Sequence, residues 1–313
     1  MDLPFTTLDV FTTKQLEGNP LALVRVPAPL RDRLTQSMKQ KIAQEFNLSE
    51  TVFLHDDTSK SGPETREVDI FTVKRELPFA GHPTIGTAVF VRHHLEGGEG
   101  VRTLAIKAGP IGIEPSPSIP GGIRAQIPHN VHLHSKTLRD VMSPSDDGLH
   151  PNPAIREAEL DAPVFSIVKG MTFVLVPLPS LELLSEVKIL WLDFNGLTDS
   201  LLDEGWREGL AARYYYVEVG GQEEEDARCL RTRMVELGSE DSATGSAATC
   251  LGAYLTLAQE KKGTSFQMTQ GVEMGRKSVI GVETTLGEGG KLSGVYLGGT
   301  AVVVMQGTLK VDA

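Results

Sequence analysis

Two short stretches, far apart in the chain, decide the fold: ELPFAGHPTIGTA at residues 76–88 and EDSATGSAA at residues 240–248. Each runs from an acidic or polar turn through a glycine into a helix of small and apolar residues. The first turn of a helix leaves backbone N–H groups unpaired and carries a partial positive charge. Two such starts facing each other would bind a small anion such as a carboxylate. The pair therefore predicts two similar domains with the chemistry at their seam.

The remaining segments repeat around these two stretches. Helical spacing is found at 30–46, 84–94, 180–187 and 243–259. Segments typical of strands are found at 5–11, 21–26, 50–54, 66–72, 101–107, 122–127, 164–168, 173–176, 214–219, 232–235, 266–268, 278–283, 291–297 and 300–305. Each half is thus a set of strands around one small-residue helix, and this order predicts an internal repeat.

Length and composition fit a globular protein of two domains. The chain has 313 residues, 40% hydrophobic and 23% charged, and domains hold about 100–200 residues. We expect an N-terminal domain at 1–130 and a C-terminal domain at 131–313, with the last strand free to return to the N-terminal domain. Residues 128–162, rich in Pro, His and Asp, are interpreted as the connection between them. The acidic run at 223–226 is interpreted as a solvated loop.

Charge and cysteine content exclude several classes of protein. A net charge of −11 argues against nucleic acid or an anionic membrane surface as partner. Cys229 and Cys250 form no CxxC pair, so neither a zinc site nor a disulfide framework is predicted. The chain shows no signal-peptide pattern and no apolar run long enough to span a membrane, which favours a cytoplasmic protein.

Three polar side chains stand out as candidates for chemistry. Glu50 lies between an amphipathic helix and an apolar strand, where burial would raise its pKa and suit it to proton transfer; alternatively, Ser49 or Glu50 merely ends the helix. His82 follows the first marker glycine, either as a site residue or as a histidine bonded within the turn. Asp241 either supports the proton-transfer groups or caps the second helix, the commonest role of Asp there.

Other motifs do not carry a function. No G-x-G-x-x-G follows a strand, so a nicotinamide or flavin cofactor is not indicated. The segment GVEMGRKS at 271–278 has the wrong glycine spacing for a phosphate loop, and the turn around Ser246 lacks the second glycine of a nucleophile elbow. His129, His132 and His134 lack a matching carboxylate cluster, so no metal is expected.

Taken together, the motifs resemble the phenazine-biosynthesis PhzF family of isomerase-like proteins. The resemblance covers nearly the whole chain. It is carried by LDVF at 8–11, GNP at 18–20, NLSET at 47–51, the two glycine stretches and GGTAVV at 298–303.

The resemblance implies a diaminopimelate-epimerase-like α+β fold. Such a fold has two similar domains, each a curved, mostly antiparallel sheet or partial barrel around a central helix. It also implies a homodimer that uses no cofactor and no metal. In this resemblance Glu50 matches the catalytic acid/base, and His82 and Asp241 match supporting catalytic residues. The positions that match substrate-binding residues are Asn19, Ser49, Gly81, Gly245 and Ser246.

The chain also departs from the family pattern. Val73 and Ser242 stand where the family commonly has proline, and Ser242 is expected to loosen the turn that aims Asp241. Related racemases place one cysteine near each glycine turn. Here Cys250 lies about a helical turn further inside the helix, where core packing is its expected role, so a two-thiol racemase is disfavoured.

These observations favour a cofactor-independent isomerase of a small carboxylate-bearing metabolite, with proton transfer through Glu50. Two alternatives stay open at this point. One is a family member that binds a metabolite or a protein and has little activity. The other is an epimerase or racemase that pairs Glu50 with a second base.

Overall fold

A computed structural model describes residues 1–59, 61–220, 227–236, 238–259 and 263–312. The contacts divide the chain into two units: the first holds residues 1–126 and the segment from Leu297 onward, and the second holds Ile127–Tyr296. The last strand therefore belongs to the first unit. The sequence analysis had drawn the second domain as 131–313 and left open that this strand returns to the N-terminal domain. The predicted acidic loop at 223–226 lies outside the described residues.

The first unit is built from strands and two α-helices. Its helices are α1 (Gln36–Phe46) and α2 (Gly81–His94), with a short 3-10 turn at Ala28–Leu30. Its strands are β1 (Asp2–Val10), β2 (Asn19–Val26), β3 (Thr51–His55), β4 (Thr65–Phe71), β5 (Glu76–Leu77), β6 (Thr103–Ile106), β7 (Gly109–Pro115), β8 (Ile123–Gln126) and the returning β18 (Ala301–Lys310).

The second unit is also built from strands and helices, and its described residues form more α-helices than those of the first unit. Its helices are α3 (Pro153–Asp161), α4 (Leu181–Glu186), α5 (Phe194–Leu201) and α6 (Gly245–Gln259), with 3-10 turns at Leu138–Asp140 and Glu288–Gly290. Its strands are β9 (His132–Leu133), β10 (Val164–Val168), β11 (Gly170–Pro177), β12 (Gly209–Val219), β13 (Ala227–Glu236), β14 (Ser239–Asp241), β15 (Gly263–Gln270), β16 (Ser278–Leu286) and β17 (Leu292–Gly299), the last of which runs on into the returning segment.

The strand order of the first unit is repeated in the second. In the first, β1–β2 is antiparallel, β2–β3 parallel, and β3–β4 and β4–β5 antiparallel; after α2, β6 lies parallel to β4 and antiparallel to β7. In the second, β10–β11 is antiparallel, β11–β12 parallel, and β12–β13 and β13–β14 antiparallel; after α6, β15 lies parallel to β13 and antiparallel to β16. The topology is therefore α+β with an internal repeat, as the glycine pattern predicts.

Each repeat packs its strands around its glycine-started helix. Helix α2 contacts β1, β2, β3, β8 and β18, and α6 contacts β10, β11, β15 and β16. A Cβ at Gly86 would come within 2.6 Å of Leu21 and 2.7 Å of Val10, and one at Gly252 within 2.7 Å of Val282. One glycine in each helix thus sits where any larger side chain would push the sheet away.

Three sequence predictions about helices were wrong in detail. The helix expected at 30–46 starts at Gln36, because Pro27 precedes a separate 3-10 turn and the Thr35 hydroxyl caps α1 by accepting the N–H of Met38. The helices around the marker glycines start at Gly81 and Gly245, not at 84 and 243. Helix α5 was missed altogether.

Much of the segment 128–162 is irregular, as the sequence indicated, but part of it packs into the core of the second unit. It contains α3, whose Asn152 and Pro153 form a standard N-terminus. Glu159 on α3 is fully buried and accepts hydrogen bonds from Arg213 at 3.0 Å and Tyr215 at 2.5 Å. A buried carboxylate needs such partners, so this cluster fixes α3 on β12.

No helix in the described part of the chain combines the length and apolar character that crossing a membrane requires.

Candidate active site

Glu50 lies in the short connection between helix α1 and the buried strand β3. Helix α1 ends at Phe46, and Asn47 takes the left-handed conformation (φ 50°, ψ 34°) that reverses the chain after a helix. Strand β3 begins four residues after Asn47, at Thr51, and all five of its residues are buried. The side chain of Glu50 is only 17% exposed as a result. The sequence reasoning placed this carboxylate correctly at the edge of the core.

Burial decides the chemistry of Glu50. It raises the pKa of the Glu50 carboxyl above its ordinary value, and a hydrogen bond from Ser49 acts in the opposite direction. The net direction is upward, so the carboxylate is a stronger base than an exposed glutamate. Ser49, itself exposed, therefore contacts the candidate acid/base directly.

His82 joins Glu50 to the start of α2. The Nδ1 atom of His82 lies 3.3 Å from Oε2 of Glu50, and the His82 side chain is 5% exposed. Because His82 is the second residue of α2, this contact puts the Glu50 carboxylate at the N-terminus of that helix. The structure thus brings together Glu50, Ser49, Gly81 and His82, four of the predicted site residues.

The start of α2 lacks a side-chain cap. Ala80 occupies the N-cap position in extended conformation (φ −152°, ψ 139°) and has no side-chain acceptor to offer. Pro83 has no N–H, and Thr84 returns its N–H and its hydroxyl to the Ala80 carbonyl at 3.3 and 2.7 Å. The early N–H groups of this helix are the type of donor that binds anions.

Asn19 lies at the start of β2 and is 3% exposed. The loop before it is tightly constrained: Gly18 has φ +67°, and a Cβ there would lie 2.3 Å from the carbonyl oxygen of Val10. Phe11 and Leu16 in the same loop also have positive φ, which costs about 1–3 kcal/mol for a non-glycine residue. Such strain is often found near functional sites, although nothing in the sequence pattern had indicated it.

The start of α6 in the second unit is built differently. Both oxygens of Asp241 turn back on the local chain: Oδ2 accepts the Thr244 hydroxyl at 2.7 Å, and Oδ1 accepts the Ala243 N–H at 3.3 Å. The Thr244 carbonyl accepts the Ala248 N–H, the first bond of the helix. These two bonds hold the turn that precedes α6, since Ala243 and Thr244 lie before Gly245, the first residue of the helix. Both roles that the sequence analysis gave for Asp241 stay predictions. Gly245 is buried and Ser246 half-buried on the first turn that follows.

Glu240 and Asp241 have separate partners. Arg233, 5% exposed, donates from Nε and Nη2 to the two oxygens of Glu240 at 2.7 and 2.8 Å. This bidentate pair fastens β14 to β13. Glu240 thus joins two strands, whereas its neighbour Asp241 bonds the turn before α6. The sequence alone could not distinguish these two roles.

Two side chains around Asp241 were missed by sequence reasoning, Thr244 and Gln270. Thr244 directly precedes Gly245, the first residue of α6, and threonine is a preferred residue at that N-cap position, so a local signal existed. Gln270 is at the end of β15, where alternation with Phe266 and Met268 calls for another apolar residue. A glutamine on the buried face of a strand is the signal that could have found it.

One group of described residues has the side-chain types of a metal site. His132, His134 and Asp203 each place a ligand atom within 4.8 Å of the others. These atoms are already engaged: the Asp203 N–H donates to Nδ1 of His134 at 3.1 Å, and the Asp203 carboxylate accepts from Ser135 and His132. Burial and the nearby His132 lower the pKa of His134 to about 4, so it is neutral and donates from Nε2 to Ser166. The group is a hydrogen-bonded network, and Asp203 is the carboxylate that the sequence analysis had not matched to these histidines.

The cysteines offer no nucleophile near the glycine turns. Cys250 is fully buried on α6, burial raises the pKa of its thiol, and its Sγ contacts the carbonyl oxygen of Phe165 at 3.3 Å. A thiol with a raised pKa is a poor nucleophile. Its position fits the packing role expected from the sequence.

Comparison with known proteins gives consistent results. The family model "Phenazine biosynthesis-like protein" matches residues 8–307. An uncharacterized isomerase of Mesorhizobium japonicum is 34% identical, over 96% of both chains. A trans-2,3-dihydro-3-hydroxyanthranilate isomerase of Pseudomonas chlororaphis is 27% identical, over 97% of this chain and 98% of that protein. The crystal structure of a Bacillus anthracis phenazine biosynthesis protein superposes with a TM-score of 0.74 at 22% identity, over 99% of this chain and 100% of the other.

Proposed function

This chain belongs to the phenazine biosynthesis-like protein family, and we propose that it is an isomerase of a small carboxylate-bearing metabolite that transfers a proton through Glu50. The observation that supports this most strongly is the contact between Glu50 and His82. A largely buried carboxylate with a raised pKa lies 3.3 Å from a buried histidine at the start of a helix without a side-chain cap. Perturbed acids in such surroundings are typical of proton-transfer sites.

Glu50 would act first as base and then as acid. In the ionised state it removes a proton from one carbon of the substrate, and the neutral carboxyl then returns the proton to another carbon. Burial favours the neutral form, so the proton is held on Glu50 between the two steps. Isomerisation of this kind is balanced, because the proton removed is the proton returned and no redox partner takes part. The proposal accordingly includes independence from cofactors and metals.

His82 would hold Glu50 in place. An ionised carboxylate only accepts hydrogen bonds, so a proton on Nδ1 of His82 would point at Oε2 over the observed 3.3 Å. The position of His82 on the first turn of α2 makes that orientation depend on the helix start. Loss of His82 should therefore misplace the base without removing it.

The substrate carboxylate would be bound by N–H groups at helix starts. We assign this role to Gly81 on α2 and to Gly245 and Ser246 on α6, with Asp241 supporting the α6 turn. Asn19 and Ser49 would line the site. Binding the carboxylate through backbone donors also stabilises negative charge that develops as the proton leaves.

The test is conversion of trans-2,3-dihydro-3-hydroxyanthranilate, the substrate in the name of one relative, followed by proton NMR in D2O. Glu50→Gln keeps the shape and removes the base, so we expect a rate lower by about 10²–10⁴-fold. Glu67→Gln is the matched control: Glu67 is a half-buried glutamate of the same unit, paired with Arg31. It should convert the substrate at the wild-type rate.

Two results would count against the proposal. A Glu50→Gln protein as active as wild type would remove Glu50 from the mechanism. A folded wild type that converts neither this compound nor a panel of related carboxylates, yet binds them, would favour the binding-only alternative.

A further inference from the structure

Gln270 is a fully buried amide that contacts the turn before α6. It ends β15 and has no exposed surface. Its Nε2 donates to the Asp241 carbonyl oxygen at 2.8 Å and to the Thr244 hydroxyl oxygen at 3.0 Å. Its Oε1 accepts the Thr244 N–H at 3.3 Å and the Tyr214 hydroxyl at 3.0 Å. All four hydrogen-bonding positions of the amide are therefore filled.

The direction of these hydrogen bonds is fixed by the partners. A backbone carbonyl only accepts and a backbone N–H only donates, so the Nε2 and Oε1 of Gln270 cannot be exchanged. The Thr244 hydroxyl accepts from Gln270 and must donate onward, because the Asp241 carboxylate can only accept. A single chain of donors thus runs from Tyr214 through Gln270 and Thr244 to Asp241. Consecutive hydrogen bonds of this kind strengthen one another.

The backbone after Gln270 packs on the same turn. Gly271 has φ +74°, and a Cβ there would come within 2.7 Å of the Ser242 carbonyl oxygen. The turn from Asp241 to Thr244 is thus held by the Gln270 side chain and by the Gly271 backbone. Ser242, for its part, is 5% exposed.

We propose that Gln270 is a positioning residue for the reaction: it holds the Asp241–Thr244 turn and thereby aims the first N–H groups of α6 at the substrate carboxylate. This inference rests on the proposed function. Only an amide fits the role, because two donors and two acceptors are needed in one plane. A glutamate at this position would place a carboxylate oxygen against the carbonyl oxygen of Asp241, and two acceptors cannot bond each other. A methionine would remove all four hydrogen bonds that Gln270 makes.

The test compares Gln270→Met with Thr284→Val. Thr284 is a matched control, since it is 2% exposed and hydrogen-bonds Thr256 on α6 at 2.6 Å, well along that helix from its start. Amide hydrogen exchange is measured at Thr244 by NMR. Gln270→Met should speed exchange there by about five- to ten-fold, the effect of losing one hydrogen bond, and Thr284→Val should not.

The kinetic arm uses the same two variants with trans-2,3-dihydro-3-hydroxyanthranilate. In Gln270→Met the N–H groups that bind the substrate carboxylate should be misaligned. This should lower kcat/KM by about 10–100-fold, mainly through a higher KM. The acid limb of the pH–rate profile, which reports the base, should stay where it is in wild type. If Gln270→Met does not fold, Tyr214→Phe removes one donor to Oε1 and should shift both readouts in the same direction by less.

Unchanged exchange at Thr244 would overturn the inference. So would faster exchange with a kcat/KM equal to that of Thr284→Val. A wild type without turnover would instead refute the proposed function, and the exchange measurement would then decide whether Gln270 holds the turn.

Discussion

Helices α2 and α6 occupy the same place in the two repeats, but the residues at their N-termini make different contacts. Helix α2 begins at Ala80 and Gly81 with no side-chain cap, and a buried carboxylate from another element, Glu50, is held near its first turn by His82. Helix α6 begins in a turn whose own carboxylate, Asp241, is bonded to Thr244 and Ala243. Glu50 comes from outside α2 and contacts its residue His82, whereas Asp241 is bonded within the turn that leads into α6.

This difference shows how a duplicated element can separate two tasks. A carboxylate that is to move protons must be kept from strong local donors, because such donors would lower its pKa. At Glu50 the effect of burial outweighs the opposing hydrogen bond from Ser49, so the net change in pKa is upward. A carboxylate that is to shape a turn must accept local donors, as Asp241 does. The repeat therefore supplies two helix starts: one lies beside Glu50, the proposed base, and the other follows a turn shaped by hydrogen bonds.

The largest stability effect expected from this comparison is at Asp241. Asp241→Ala removes both acceptors and leaves the buried Thr244 hydroxyl without the carboxylate, so we expect a loss of about 1–3 kcal/mol in the free energy of unfolding. Asp193→Ala serves as control, because Asp193 caps α5 in the same unit through the Asn195 N–H at 3.0 Å. Chemical denaturation measures both. A smaller loss at Asp241 than at Asp193 would break the comparison.

Glu50→Gln should have the opposite and smaller effect on stability. Burial raises the pKa of Glu50 in the folded protein, so the folded state binds this proton more tightly than the unfolded chain. The stabilisation is present below the unfolded pKa, for which the ordinary value is 4.5, and is lost as the pH rises through the folded pKa. Glutamine escapes that loss, so the variant should have a higher Tm than wild type at a pH above the folded pKa of Glu50.

Thermal unfolding at pH 4 and pH 8 checks this prediction. The Tm of Glu50→Gln should be higher than that of wild type at pH 8, and the difference between the two Tm values should be smaller at pH 4. A Glu50→Gln protein less stable than wild type at pH 8 would mean that the ionised carboxylate is well compensated, contrary to this account.

The repeat could be predicted because its signals are local. The two glycine stretches, the alternating strands and the position of Glu50 between helix and strand are all visible within short windows of sequence. The sequence placed Glu50 and His82 in one domain, but it did not predict the contact between them. The family resemblance then gave these residues their roles, which stay predictions, as do the homodimer and the cytoplasmic setting.

The features that were missed depend on contacts between distant segments. Gln270 meets Thr244 only because β15 returns beside β13 after α6. Helix α3 was missed because Pro, His and Asp dominate the segment 128–162, although Asn152 and Pro153 were a readable helix start. The expectation that Ser242 loosens its turn stays a prediction, while the bonds from Gln270 to the same turn come from elsewhere in the chain.

The most direct test of the central claim is the titration of Glu50 itself. Carbon-13 NMR of protein labelled at glutamate carboxyl carbons would follow each group with pH, and the signal absent from Glu50→Gln identifies Glu50. We predict a midpoint above the ordinary value of 4.5, with kcat/KM falling as the pH is lowered through the same point, since the base must be ionised to take a proton. A midpoint at or below 4.5 would contradict the account.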